Sequence, residues 1–412
     1  MNLGENRSMS IDLRTRLDSD QRSIDAAPFF RETLPDLFDD AQSLIAPAGA
    51  LLPLKDFCIE VDSEPWTLAW QSDRASIRPG HSGAARVRLG KQAFSEIVND
   101  QLTPIALMSN AMLDMPEGGL PDFMNWWLLL RGALDRRRVY RNGDLDLADQ
   151  PGRSFTRDDD DDTMRRYLEE FGYLHIRGVF DSAEMAAVAA DFELAARHYA
   201  PGDVKAWYAT THDQQEHLVR MEGFDRYSST TRALLREDRF QRIGRIPDCS
   251  MAFEQEPGKM AAALVKPIGV IKGISDLPWH KDCSLGRHAY ECCSLTVGLS
   301  VTGANAESGQ LHVLPGSHRA LIWPAPCIQP GIDLQPRSLP TETGDVTVHL
   351  SCTQHMSQAP ILRPRKVVYA DFRQALADPQ AAAAHRARID DVRGKAHTSV
   401  SQEPSTATRR DA

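Results

Sequence analysis

No stretch of this chain approaches the roughly 18 uncharged apolar residues of a membrane-spanning helix, and its most apolar piece, FMNWWLLL at 123–130, is far too short. The opening MNLGENRSMSIDLRTRLDSD likewise lacks an apolar core of signal-peptide length, so neither a transmembrane segment nor export is expected. Cysteine is sparse: seven residues, an odd number with no CxxC pair, which speaks for reduced thiols rather than a disulfide framework and fits a cytoplasmic location. Positive charge is in deficit. The 47 Lys+Arg against 57 Asp+Glu leave a formal charge of −10, which disfavours an electrostatic grip on DNA, RNA or anionic membranes, so nucleic acid is not an expected partner. Composition leaves the oligomeric state open.

What is present is ordinary for a globular protein, with 42% hydrophobic and 25% charged residues. A length of 412 residues exceeds the roughly 250–300 at which single cores stop growing, which predicts two domains. Residues 1–54 mix charges with a few apolar clusters and read as a partly ordered leader with one helix. From Phe57 the runs FCIEV, WTLAW, ASIR and ARVRL alternate with period two between DSEP, QSDR and PGHSG, the pattern of a small antiparallel meander. KQAFSEIVNDQL and DFMNWWLLLRGALD then place apolar residues at helical spacing. These make a small α+β domain over 55–145. Its order of strands, a helix and a Trp-rich helix resembles the sterol-carrier-protein-2-like fold, which implies an apolar binding or docking module; the plainer reading is that Trp126, Trp127 and Leu128 to Leu130 pack a helix against the sheet.

A segment rich in Gly, Asp and Pro leads into a linker at 146–160. The acidic run Asp158 to Asp162 complements a helix N-terminus rather than binding a cation. TMRRYLEEFGYLHIRGVF predicts a helix stopped by Gly172 and a short strand, SAEMAAVAADFELAARHYA a second helix, and further helical segments follow to about residue 248. Then the texture turns to β: MAFEQ, ALVKPIGVIKG, ECCSLTVGLSVTG, GQLHVLPGS, DVTVHLSCT and KVVYADF, short strands between Gly/Pro turns. This predicts a jelly roll with covering helices over 161–375. The overall class is α+β. Residues 376–412 lose aromatic residues and periodicity and are expected to form a disordered tail.

Within that β region WHKD places His280 and Asp282 two apart, so on an extended strand both point to one face. Two imidazoles and one carboxylate on one side of an iron ion leave its remaining positions open, so His-x-Asp calls for a distant His. His355 and His349 are the candidates, and the VHL setting of His349 suggests a face-lining or core residue. His312 and His318 in QLHVLPGSH read as structural, and Cys283, Cys292 and Cys293 as core residues.

The series YLEEFGYLHIRGVF, PWHKD, SGQLHVLPGSH, GD…HMS and RKVVY resembles the phytanoyl-CoA dioxygenase family over about residues 163–372. The resemblance implies a double-stranded β-helix, Fe(II), and 2-oxoglutarate and O2 as cosubstrates. It matches His280, Asp282 and His355 to the metal ligands, which are also the catalytic residues, and Ser357 and Arg365 to contacts with the distal carboxylate of 2-oxoglutarate. A guanidinium fork with a nearby hydroxyl suits a carboxylate; Arg363 and Lys366 are the competitors. The metal carboxylate is present, which argues against a halogenase, and SQAP stands where many relatives carry Asn after the distal His-x-Ser.

Lys266 and Lys272 precede the His-Lys-Asp strand, and either is placed to reach the cosubstrate; Lys272 is taken as the cosubstrate-binding candidate. Trp207, Tyr208 and Arg220, expected in a helical insert over the barrel mouth, and His288 and Tyr290, after the ligand strand, are the substrate-contact candidates. The expected activity is a 2-oxoglutarate-dependent dioxygenase hydroxylating an unactivated C–H bond of a small or lipid-like metabolite with release of succinate and CO2. Desaturation, epoxidation or cyclisation in natural-product tailoring would use the same residues. From another class, a catalytically silent jelly-roll or lipid-binding scaffold is the rival.

Overall fold

The structure, a computed structural model, describes residues 22–109, 112–147, 152–248, 251–273, 275–285 and 294–374, together with Gln380. The tail expected at 376–412 therefore lies, apart from Gln380, outside the described residues. No described helix is long and apolar enough to cross a membrane.

The alternating runs after residue 56 form β1 (Phe57–Val61), β2 (Glu64–Gln71), β3 (Arg74–Pro79) and β4 (Ala85–Leu89), which β5 (Asp114–Glu117) joins in the order β3-β2-β1-β4-β5. Asp62–Ser63 and Ser72–Asp73 turn the two hairpins with positive φ at both central residues, the backbone that matches strand twist. The expected antiparallel meander stops there, because β4 crosses back and pairs parallel with β1, from Phe57↔Ala85 to Val61↔Leu89. That register aligns Ala85, Val87 and Leu89 with Phe57, Ile59 and Val61 in one buried stripe, whereas β3 is largely solvated. Helix Leu120–Leu134 is apolar nearly all round and buries Trp126, Trp127 and Leu128 to Leu130, as the packing reading required. Of the leader expected over 1–54, helices Leu34–Asp40 and Gln42–Leu51 supply Leu34, Phe38 and Ile45 to this core, and so do Phe29 and Phe30 before them.

The second unit contains β6 (Phe155–Thr156), β7 (Tyr173–Arg177), β8 (Ala206–Thr211), β9 (Glu216–Glu222), β10 (Met251–Phe253), β11 (Ala261–Lys266) and β12 (Val270–Lys272). After them come β13 (Leu277–His280), β14 (Ser294–Ser300), β15 (Leu311–Val313), β16 (Arg337–Leu339), β17 (Val346–Leu350), β18 (His355–Ser357) and β19 (Arg365–Gln374). One sheet runs β12-β8-β9-β11-β19-β14-β17-β7-β6, with β10 also on β19; the facing sheet runs β13-β18-β15-β16. From β11 onward, β12 aside, the chain passes between β11-β19-β14-β17 and β13-β18-β15-β16, which is a double-stranded β-helix. Of the segment expected to be helical up to residue 248, Ser229–Arg236 and Asp238–Gln241 are helices, whereas the stretch before them forms β8 and β9, as its AWYATT and EHLVRME runs around a polar turn allow.

Alternation sorts the large sheet into two faces. Leu295, Val297, Leu299, Val346, Val348, Leu350, Val368, Ala370 and Phe372 pack outward under helices Asp161–Phe171 and Ser182–Ala196. The first of these starts at Asp160, whose carboxylate accepts from the Thr163 N–H at 2.9 Å, and stops at Gly172 in the left-handed region, where a Cβ would strike His318 and Thr353. The opposite face, carrying Ala262, Leu264, Lys266, Thr296, Thr347, His349, Arg365 and Val367, lines the interior. The two units share a boundary: Leu321, Trp323 and Ala325 enter the N-terminal core, and Trp323 Nε1 donates to Asn125 Oδ1 at 3.1 Å.

Candidate active site

Two imidazoles meet because their strands pair. β13 and β18 are antiparallel with His280 directly opposite His355, which brings the ring centroids to 4.3 Å. Asp282 is not on the strand, as the extended reading of WHKD required. β13 ends at His280, and Asp282 opens a single helical turn, Asp282–Leu285, which swings its carboxylate back toward the imidazoles. One donor atom from each of His280, Asp282 and His355 lies within 4.8 Å of the others. Asp282 Oδ1 is 3.4 Å from His280 Nε2 and 3.6 Å from His355 Nε2.

The surroundings orient each group. His280 Nδ1 donates to the Pro278 carbonyl at 2.7 Å and His355 Nδ1 to the Thr353 carbonyl at 3.0 Å, which leaves both Nε2 lone pairs facing Asp282. Thr296 Oγ1 donates to Asp282 Oδ2 at 3.0 Å. Burial would push the Asp282 carboxyl up, but the imidazoles around it, His355 first and then His280 and His349, hold it well below its usual range. Burial, with His349 and His280 close by, keeps His355 neutral. Two imidazoles and one carboxylate on one side form a donor set suited to iron(II).

Two residues beyond His355 on the same face of β18 begins a second, cationic pocket. Lys266 Nζ donates to Ser357 Oγ at 2.5 Å and to the Gln358 carbonyl at 2.9 Å. Lys266 and Arg365 are cross-strand partners, 4% and 2% exposed, so two cations lie side by side inside the protein. Burial first, and then Arg365, drive the Lys266 ammonium well below its ordinary range, while Asp276 opposes them. Arg365 Nη1 donates to the Gly309 carbonyl at 3.0 Å, and its buried Nε has no hydrogen-bond partner. Gly309 has φ +74°, and a Cβ there would meet the Gln358 carbonyl at 2.3 Å, so only glycine closes this corner.

Several sequence candidates fall elsewhere. Lys272 is exposed on the edge strand β12; Lys266, its alternative, continues the inward alternation of Ala262 and Leu264 and is the lysine in the pocket. Arg363 is exposed and pairs with Glu307 at 2.6 Å, and Lys366 points outward to Glu193 at 3.0 Å. Trp207 and Arg220 are strand partners on β8 and β9 rather than parts of a helical lid, with the guanidinium 5.0 Å from the indole centroid. Tyr208, next on β8, donates to the Tyr199 carbonyl at 3.0 Å. His288 and Tyr290, with Cys292 and Cys293, lie outside the described residues. His318 Nε2 donates to the Glu169 carbonyl at 2.9 Å, and burial brings its pKa down to about 4. Cys283 is buried. His349, whose role the sequence left between ligand and lining residue, is inside and adjoins Asp282, with Nε2 3.4 Å from Oδ2.

No curated protein matches the chain. Among solved structures it is similar to AviO1 from Streptomyces viridochromogenes Tue57, at 17% identity and TM-score 0.42 over 53% of this chain and 97% of that one. It is also similar to SnoN, a non-heme alpha ketoglutarate dependent epimerase from nogalamycin biosynthesis, at 20% identity and TM-score 0.42 over 52% and 81%. A third, EctD from S. alaskensis with 2-oxoglutarate and 5-hydroxyectoine, gives 17% identity and TM-score 0.40 over 57% and 79%. Residues 168–361, which hold both imidazoles, the carboxylate, Lys266 and Ser357 and end just before Arg365, match the family model described as Phytanoyl-CoA dioxygenase (PhyH).

Proposed function

We propose that this chain is an Fe(II)- and 2-oxoglutarate-dependent dioxygenase that hydroxylates an unactivated C–H bond of a small molecule, releasing succinate and CO2. The observation that carries this reading is the placement on one three-residue strand, β18, of an imidazole of the His280–Asp282–His355 group and a hydroxyl of the Lys266–Arg365 pocket. Two residues along a strand span about 7 Å, a separation suited to a dicarboxylate held by its keto-acid end at a metal and by its far carboxylate among cations. His280 and His355 would bind the metal through Nε2 and Asp282 through Oδ1.

Iron(II) with 2-oxoglutarate bound supplies activation of O2 coupled to oxidative decarboxylation of the cosubstrate. Arg365 and Lys266 bind and orient the far carboxylate, and the Ser357 hydroxyl adds a further hydrogen bond. Val367, Leu264 and Ala262 beside them exclude water. Thr296 fixes the free oxygen of Asp282. Further along the inward face of β19, Tyr369 and Asp371 pair with Gly298 and Thr296, and Arg220 feels the charge of Asp371. Such polar walls favour a polar small molecule over an acyl chain. The silent-scaffold alternative gives no reason to bury two adjacent cations beside a carboxylate and two imidazoles. Among the described residues Cys58, Cys283, Cys327 and Cys352 form no disulfide, which suits a reducing cytoplasm.

Anaerobic addition of Fe(II) and 2-oxoglutarate is expected to give the weak visible charge-transfer absorption of a metal-chelated 2-oxo acid, and His280→Ala is expected to abolish it with the far-UV spectrum unchanged. Wild-type protein that gives no absorption, or a variant that keeps it, overturns the proposal.

A further inference from the structure

β17 reads VTVHL, with Val346, Val348 and Leu350 in the outer core, so alternation sends His349 into the barrel. The residue is 1% exposed, and neither ring nitrogen has a hydrogen-bond partner by strict geometry. An apolar side chain would fill this position without leaving two buried polar atoms unmatched. Sequence reading weighed His349 as a rival ligand, yet it is absent from the group of converging donors. It lies instead beside Asp282, with Nε2 3.4 Å from Oδ2.

The two oxygens of Asp282 have different company. Oδ1 faces the Nε2 atoms of His280 and His355, at 3.4 and 3.6 Å. Oδ2 faces away, toward Thr296 Oγ1 at 3.0 Å and His349 Nε2 at 3.4 Å. Thr296 and His349 are themselves cross-strand partners on β14 and β17, so the large sheet presents both donors to the same carboxylate oxygen from one rigid platform. The His349 ring also lies 4.1 Å from that of His355, which limits where the imidazole can move.

We propose that His349 is a positioning residue that, with Thr296, holds Asp282 Oδ2 away from the metal, so that Asp282 binds through Oδ1 alone. This inference rests on the iron and 2-oxoglutarate reading above. A carboxylate that binds through one oxygen leaves one more coordination position than a bidentate one, and a metal carrying three protein donors needs every remaining position for the two cosubstrate oxygens and O2. Without the His349 donor the carboxylate can rotate on the Thr296 hydroxyl and close that position.

The test uses Co(II) as a spectroscopic probe in full-length wild type, His349→Leu and His349→Gln. Wild type is expected to bind Co(II) with solvent-exchangeable, paramagnetically shifted imidazole N–H resonances from His280 and His355 only. His349→Leu is expected to bind Co(II) about 10- to 100-fold more weakly, with altered visible d–d bands and weakened 2-oxoglutarate binding to the Co(II) form. His349→Gln, whose amide N–H reaches the same oxygen, is expected to restore most of the affinity and the bands. Should His349→Leu fail to fold, His349→Met, also without an N–H donor, must show the same loss. Unchanged bands and affinity in the Leu or Met variant overturn the inference, as does an additional shifted N–H resonance that disappears with His349, which would make it a ligand. A wild type that binds no metal is a separate result: it removes the iron reading, and this inference with it.

Discussion

Arg131 in the N-terminal unit and Arg365 in the β-helix are equally hidden, each 2% exposed, yet they are held in opposite ways. Arg131 Nη1 lies 3.3 Å from Asp100 and 3.5 Å from Asp135, and Nη2 donates to the Val98 carbonyl at 2.7 Å. Its charge is met from within, by Asp135 at the end of its own helix, Leu120–Leu134, and by Val98 and Asp100 where helix Lys91–Val98 closes. Arg365 has a carbonyl on one arm and, in place of a carboxylate, a second buried basic group, Lys266, as its cross-strand neighbour. Desolvating a charge is costly unless a partner compensates it. The N-terminal unit carries its own compensation and is complete as folded, whereas the β-helix interior is built to receive an anion.

The sharpest way to break this contrast is Arg131→Met. Removing one partner of a closed buried set strands Asp100, and the expected loss of stability is about 3–5 kcal/mol, seen as a lower denaturation midpoint. Metal and 2-oxoglutarate binding per folded molecule should stay at wild-type values. A loss below about 1 kcal/mol would mean that the Arg131 charge is not structurally closed.

The reverse pattern is expected at Arg365. Arg365→Leu deletes a cation that the folded protein does not itself neutralise, so thermal stability without ligand should hold or rise, while 2-oxoglutarate affinity falls about 100-fold, the effect of losing charged hydrogen bonds worth about 3 kcal/mol. Titration calorimetry on the anaerobic Mn(II) form measures this, and added 2-oxoglutarate should raise the denaturation midpoint of wild type but not of the variant. An Arg365→Leu protein that unfolds without ligand would assign the residue to the same structural class as Arg131.

The same contrast explains what the sequence made readable. The outward face of the β-helix announces itself through runs such as SLTVGLS and VTVHL, and the ligand pair through His-x-Asp spacing. Two residues of separation could not reveal that Asp282 sits on a helical turn. Pairing across the barrel is also silent in a single sequence: nothing local says that His280 will face His355, or that β4 will return to β1 rather than extend the meander. Lys266 and Lys272 look alike as letters. Counting period two back from Lys266 through Leu264 and Ala262 separates them, because it makes Lys266 an inward residue of an otherwise apolar strand. β8 and β9 were obscured by polar residues that suit an exposed helix as well as an edge hairpin. His349 was legible as inward-facing, but its relation to Asp282 Oδ2 depends on a turn from another part of the chain.

The smallest expected effect concerns where the two regions touch. Thr103 Oγ1 donates to the Ser284 carbonyl at 2.8 Å and accepts from the Ala106 N–H at 3.1 Å, so one hydroxyl caps the N-terminal helix Pro104–Ser109 and ties it to the turn that begins with Asp282. Through this bond the self-contained unit reaches the ligand-dependent one. Thr103→Val is expected to cost about 1 kcal/mol and to weaken Mn(II) binding a few-fold, because the carboxylate-bearing turn loses an anchor while every ligand remains. Thr103→Ser, which keeps the hydroxyl, should restore both. If Thr103→Val leaves metal affinity untouched and calorimetry resolves the wild type into two independent transitions, the N-terminal unit is a neighbour of the site only; a single transition with weakened metal binding makes it the outer support of Asp282.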